Sequence, residues 1–202
     1  VVNPLKKLNR YKKYALLLLI TATVGLIASF VLTLDKIQLL KDPAVKLSCS
    51  FNPVVSCGSV IASPQAEAFG FANPLIGLIS FSVIITIAMG MFAGAKYKRW
   101  FWLGLQAGSI LGAIFITWLF YESVYVIKGL CPYCIVVWSM VIPIFVYTTR
   151  YNIMENNIKL NRSWQGIAKW FCENAWFIVA LWYLAIFTSI LIKFWYYWKT
   201  LI

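Results

Sequence analysis

Apolar residues in this 202-residue chain gather into five runs, 14–34, 74–95, 100–121, 130–149 and 174–192, and every Lys, Arg, Asp and Glu lies outside them. Each run is about long enough to cross a bilayer. A hydrocarbon core of roughly 30 Å takes about 20 helical residues, and one Lys or Asp at its centre costs about 2.5–3.5 kcal/mol. A transmembrane β-barrel would instead show short segments of alternating polarity, and none is visible. The pattern predicts an all-α, polytopic membrane protein, with the whole of 1–202 as one membrane domain. The first run is too long for a signal-peptide core and no A-x-A-like site follows it, so it is expected to remain as a helix. Residues 35–73 form the one extended loop on their side. Residues 158–171 set Leu160, Trp164, Ile167 and Phe171 against Lys159, Arg162 and Lys169. That is the pattern of an interfacial helix, and equally of an ordinary basic connector.

Composition agrees: 62% hydrophobic and 12% charged residues leave too little polar surface for a soluble domain of this size. The basic residues set the orientation, because Lys and Arg beside a span are retained on the cytoplasmic side. Lys6, Lys7, Arg10, Lys12 and Lys13 precede the first run, Lys96, Lys98 and Arg99 join the second and third, and Arg150, Lys159, Arg162 and Lys169 join the fourth and fifth. Twelve of the eighteen basic residues thus share one side, leaving Lys36, Lys41, Lys46, Lys128, Lys193 and Lys199 on the other. The N-terminus is expected in the cytoplasm and the 35–73 loop outside. The net charge of +12 is accounted for by helix ends, so no nucleic-acid partner is expected.

This topology, which uses no cysteine, places Cys49, Cys57, Cys131 and Cys134 at the exoplasmic surface, the oxidising side. Cys131, Pro132, Tyr133 and Cys134 form a C-x-x-C that opens the fourth spanning helix, with proline at the first helical position, where its missing N–H is no loss. Residues three apart share a helix face and can close a small disulfide ring. A helix N-terminus favours thiolate, the form that attacks a disulfide in exchange. The spacing of Cys49 and Cys57 permits a disulfide without demanding one, and a structural staple is an alternative role. Ser56 is a candidate cap for a short helix from Cys57 to Ala62, ended by Pro64, with Cys49 left on flexible chain able to reach a partner. No metal is expected: the chain has no histidine, the C-x7-C spacing is wide, and dithiols on the oxidising side tend to be oxidised. Lack of histidine also removes Ser-His-Asp and Cys-His hydrolases. Cys172 falls on the cytoplasmic side as an unpaired structural thiol.

A loop cysteine pair, then Ser63, then Asn73 at the start of a helix, then a C-x-x-C opening a later helix resembles the vitamin K epoxide reductase family. The order is informative, since the DsbB family does similar chemistry with its C-x-x-C ahead of the second cysteine pair. The resemblance covers about residues 14–147, and the fifth helix looks like the extra span of bacterial homologues. It implies a four-helix transmembrane bundle plus a fifth helix, in a bacterial cell membrane.

The resemblance further implies that Cys49 and Cys57 are a shuttle pair, that Cys131 exchanges with Cys57, and that Cys134 faces a quinone, ubiquinone or menaquinone. Ser63 and Asn73 match polar positions of the family's site, where the asparagine can hydrogen-bond a quinone oxygen. Before Pro74, Asn73 is also a candidate helix N-cap. Trp138 lies one turn beyond Cys134, where enzymes that reduce vitamin K carry tyrosine. It supplies a flat wall for a quinone ring or simple bundle packing. Some bacterial homologues are fused to a thioredoxin-like domain. This chain reaches Ile202 soon after its fifth run, so the resemblance implies a separate DsbA-type, thioredoxin-fold partner. The expected function is quinone-dependent reoxidation of that partner. The alternatives are vitamin K quinone or epoxide reduction, or a membrane scaffold stapled by disulfide or zinc.

Overall fold

The computed structural model describes residues 4–199 except 46, 48, 51 and 53, and omits the side chains of 4–7 and 198. Lys46 and the side chains of Lys6 and Lys7, used above for orientation, lie outside the described residues. In chain order the helices are α1 Pro4–Lys41, α2 Cys57–Ile61, α3 Pro74–Phe92, α4 Arg99–Tyr121, α5 Pro132–Met154, α6 Gln165–Glu173, α7 Ala175–Lys193 and α8 Trp195–Trp198. A π-helical turn, Glu122–Ile127, continues α4. Five of these helices, α1, α3, α4 with its π turn, α5 and α7, are long and apolar enough to cross a membrane. The chain is an all-α, multi-pass membrane protein.

The helix ends differ from the apolar runs for local reasons. α1 continues through Asp35 and Lys36 to Lys41, with Leu39 packed against the cysteine cluster and Ile37 and Leu40 on its exposed face. It stops at Asp42, where Pro43 disfavours helical backbone on the residue before it and the Asp42 carboxylate accepts the Ala44 N–H at 3.0 Å. Asp35 and Lys36, assigned to the loop from sequence, are therefore helical and buried. α3 ends at Phe92, three residues before its run does. Gly94 takes a left-handed φ of +84°, and the N–H groups of Gly94 and Ala95 return to the carbonyls of Met91 and Gly90 at 3.1 and 2.9 Å. α5 extends past its run to Met154, and Asn156 follows with φ 55°.

α1, α3, α4 and α5 form the bundle, with α7 against α5. At one end Tyr14 stacks on Tyr151 with ring centroids 4.5 Å apart, and its hydroxyl lies 2.9 Å from that of Thr148. Buried Asn152 donates to Gln106 Oε1 at 3.1 Å and accepts from Asn157 at 3.0 Å, so these buried polar groups satisfy one another. Here the first part of α1, the start of α4 and the chain just after α5 meet: Arg10 pairs with Glu155 at 3.8 Å, and Arg99 Nε donates to Asn157 O at 2.7 Å. α6 lies at the same end. It turns Ala168 and Cys172 inward and leaves Trp164, before its first residue, with Ile167 and Trp170 exposed. The cysteine loop lies at the opposite end.

Candidate functional site

Local hydrogen bonds build the loop before any cysteine is considered. The Asn52 side-chain oxygen accepts the N–H groups of Val54 and Val55 at 3.0 and 2.6 Å, turning the chain. Val55 then runs parallel to Leu130, with Leu130 N–H to Val54 O at 2.7 Å and Ser56 N–H to Leu130 O at 2.9 Å. The Leu130 side of the bridge is held by the Ser123 hydroxyl, which donates to Gly129 O at 2.6 Å. Ser56 caps α2, accepting the Ser59 N–H at 3.5 Å, as its sequence position predicted. The next residue after Leu130 is Cys131, and Cys57 lies two beyond Val55. The bridge thus brings the two cysteines side by side.

Cys49 and Cys57 form a disulfide, with Cα atoms 5.6 Å apart. Cys131 Sγ lies 3.4 Å from Cys57 Sγ. Cys131 is the N-cap of α5, its sulfur accepting the Cys134 N–H at 3.4 Å, and Pro132 takes the first helical position. Cys57 and Cys131 are fully buried and Cys49 is 3% exposed, all packed with Leu32, Leu47 and Ile61. Cys49 is therefore not on free chain in this conformation. The disulfide draws it onto α2, and burial of the neighbouring Leu47 against α1 seals the segment.

Cys134 is partly exposed and faces a second space, a cavity of about 180 Å³ with mainly apolar walls. Ser63, Asn73 and Trp138 line the same cavity. Asn73 does not cap α3: its backbone is itself helical, at φ −53° and ψ −34°, and its side chain makes no capping bond. The side-chain oxygen accepts the Ala68 N–H at 3.1 Å and Nδ2 donates to Gln65 O at 2.7 Å, clamping the turn Pro64–Glu67 to the start of α3. An amide nitrogen carries two protons, and Gln65 takes one. The Ser63 hydroxyl donates to Val60 O at 2.7 Å. Trp138 is 3% exposed and meets Phe120 edge-on at 5.6 Å, so it both packs the bundle and walls the cavity.

The seven residues singled out in the sequence thus fall into two adjoining groups, a sulfur cluster and a cavity, which Cys134 joins. Three charged residues at this end escaped sequence reasoning. Lys36 Nζ donates to Ile61 O at 3.0 Å and pairs with Glu67 at 2.9 Å, tying α1 to α2 and the turn. Asp35 Oδ2 lies 3.4 Å from Cys49 Sγ. The available signal was the apolar spacing of Ile37, Leu39 and Leu40, which carries the helix beyond the uncharged run. Cys172 lies apart, buried on α6 near Arg150 O, and burial raises its thiol pKa.

The arrangement joins a disulfide, a neighbouring thiol pair and an apolar cavity within one end of a membrane bundle. The model of the Vitamin K epoxide reductase family matches residues 16–149, which span the bundle from α1 into α5 and include both cysteine pairs. This membrane oxidoreductase belongs to that family.

Proposed function

We propose that this protein is a quinone-dependent thiol–disulfide oxidoreductase of a bacterial cell membrane that reoxidises an exported, DsbA-type thioredoxin-fold partner and so supports disulfide formation. The observation that carries this reading is the 3.4 Å approach of Cys131 Sγ to Cys57 Sγ, within the roughly 3–3.5 Å at which reacting atoms are poised. The described basic residues in the first part of α1, from the α3–α4 link to the first residue of α4, and from the end of α5 through α6 lie at the far end of the bundle from the cysteines. That end is cytoplasmic by the positive-inside rule, and the cysteines then face outside.

The relay consists of exchanges in which each new S–S bond replaces an old one. The partner's dithiol becomes a disulfide as the Cys49–Cys57 bond is reduced. Cys57 thiolate attacks Cys131 of an oxidised Cys131–Cys134 pair, releasing Cys134. Cys49 then attacks Cys57, re-forming the loop disulfide and releasing Cys131. The arrangement observed, loop oxidised and helix pair reduced, corresponds to this last stage.

The cavity fits a quinone: its walls are mainly apolar, Trp138 offers a broad indole, Cys134 opens onto it, and Asn73 has a second N–H to offer. A quinone bound there supplies an acceptor for the two electrons and two protons released as Cys131 and Cys134 close into a disulfide. Asn73 would orient it. Ser63, whose proton is committed to Val60, would act only as an acceptor. In this conformation neither loop sulfur is open to a partner, so the partner's thiolate reaches Cys49 only when the loop lifts.

Turnover of purified protein with a reduced thioredoxin-fold partner and added ubiquinone or menaquinone tests the proposal. Quinone-dependent partner oxidation that disappears in Cys131→Ser is expected. Oxidation at the same rate without Cys131, or none with either quinone, would overturn it.

A further inference from the structure

We infer that the Asp35 carboxyl group is the proton acceptor for Cys49 when that thiol re-forms the loop disulfide. The inference rests on the relay proposed above. Asp35 is 6% exposed, and its Oδ2 lies 3.4 Å from Cys49 Sγ. One carboxylate oxygen and the sulfurs of Cys49 and Cys57 all lie within 4.8 Å of one another. Among the described residues no cation pairs with Asp35, and the neighbouring Lys36 is engaged by Ile61 O and Glu67. A carboxyl group buried without a cation is costly, and packing alone would be served better by an apolar side chain. What it touches is a sulfur atom that must change its protonation state once per cycle.

The step balances without an added redox agent. Cys49 begins as a thiol, and Cys57 is joined to Cys131. As Cys49 Sγ attacks Cys57 Sγ, its proton passes to the Asp35 carboxylate. The Cys49–Cys57 bond forms, the Cys57–Cys131 bond breaks, and Cys131 leaves as a thiolate beside the Cys134 N–H. When the partner next reduces the loop disulfide, the same proton returns to Cys49. A thiol with a pKa of about 8.5 is only about 3% ionised at pH 7, so an adjacent base removes a large part of the barrier.

Cys57 on α2, Cys131 at the N-cap of α5, Tyr133 and Cys134 on α5, Lys36 on α1, Glu67 on the turn after α2 and Glu122, which lines the adjoining cavity after α4, are the other titratable or charged described residues around this corner. The test therefore follows the disulfide species as well as the rate. With the full chain, a reduced thioredoxin-fold partner and a quinone, Asp35→Asn is expected to slow turnover about 10²-fold near pH 6.5. The Cys57–Cys131 disulfide should accumulate in acid-quenched samples mapped by mass spectrometry. The deficit should shrink as pH rises past about 8.5, where Cys49 ionises unaided. Asp35→Glu should restore part of the rate. Should Asp35→Asn fail to fold, infrared difference spectra of wild type and Asp35→Glu decide. Reducing the loop disulfide should change a carboxyl C=O band that differs between the two. Wild-type turnover by Asp35→Asn, a pH-independent deficit without the trapped species, or an infrared band unmoved by Asp35→Glu would overturn the assignment. A wild-type protein that never forms the Cys57–Cys131 disulfide would instead overturn the relay itself.

Discussion

Cys57 and Cys131 are 74 residues apart in sequence, yet their sulfurs lie 3.4 Å apart. Cys49 is bonded to Cys57, and its own sulfur lies 3.4 Å from Asp35 Oδ2. This asymmetry predicts which crosslink the protein can make. Oxidising the double variant Cys49→Ser, Cys134→Ser should give a Cys57–Cys131 disulfide in high yield. The matched variant Cys57→Ser, Cys134→Ser should give little Cys49–Cys131 product. Peptide mapping distinguishes them, and equal yields would show that the loop cysteines are interchangeable.

All four clustered cysteines should be required for quinone-linked partner oxidation, and Cys172 should not. Two exchangeable pairs make the relay, whereas a staple needs only to hold the loop. Serine substitutions of Cys49, Cys57, Cys131 and Cys134 are each expected to remove activity, with Cys172→Ser near wild type. Full activity in Cys49→Ser with an intact partner would reduce the loop disulfide to a staple.

On the proposed orientation, a membrane-impermeant maleimide added to intact, reduced cells should label the loop pair and spare Cys172. Opening the cells should expose Cys172 to the reagent, but slowly at neutral pH. Burial raises its thiol pKa, partly offset by Arg150 and Arg10, so less thiolate is present than for a free thiol. Its labelling rate should climb with pH and reach half-maximum above the usual value of about 8.5. Labelling of Cys172 from outside would invert the topology.

Asn73→Ala should affect both the fold and the site. It leaves Gln65 O and the Ala68 N–H without their partner, at a cost of about 1–3 kcal/mol in stability. If the remaining N–H also supports charge on a quinone oxygen, quinone reduction should slow by about 10²–10³ with thiol exchange spared. Ser63→Ala removes only a bond to the preceding helical turn and should cost about 1 kcal/mol with little effect on quinone reduction. Thermal unfolding and single-turnover kinetics separate the two effects, and normal quinone reduction by Asn73→Ala would remove it from the quinone site.

Trp138→Ala should destabilise the protein by about 3–5 kcal/mol, because it empties a buried position against Ile116, Phe120 and Ile142. Trp138→Phe keeps an aromatic wall and should retain most stability and quinone turnover. Comparing quinone KM with melting temperature in the two variants tests whether Trp138 serves the cavity or the bundle alone.

The spanning helices, the alternation of their ends and the role of Pro132 were legible in the sequence because each depends on neighbouring residues. Charge-free length, flanking Lys and Arg, and proline at a helix start act within a few turns. The cap at Ser56 was legible for the same reason. Helix ends were less so: α1 passes through charged Asp35 and Lys36, where Lys36 finds partners across the bundle in Ile61 and Glu67 and Asp35 is buried against Cys49. Asn73 reads locally as a cap, but its amide is better satisfied by Gln65 and Ala68. Spacing alone left the pairing of Cys49 with Cys57 open and indicated a mobile Cys49. The Val55–Leu130 bridge and the packing of Leu32, Leu47 and Ile61 bury Cys49 and put Cys57 beside Cys131. Such contacts join residues far apart along the chain, and their energies depend on what each burial and hydrogen bond excludes elsewhere, which no local pattern encodes.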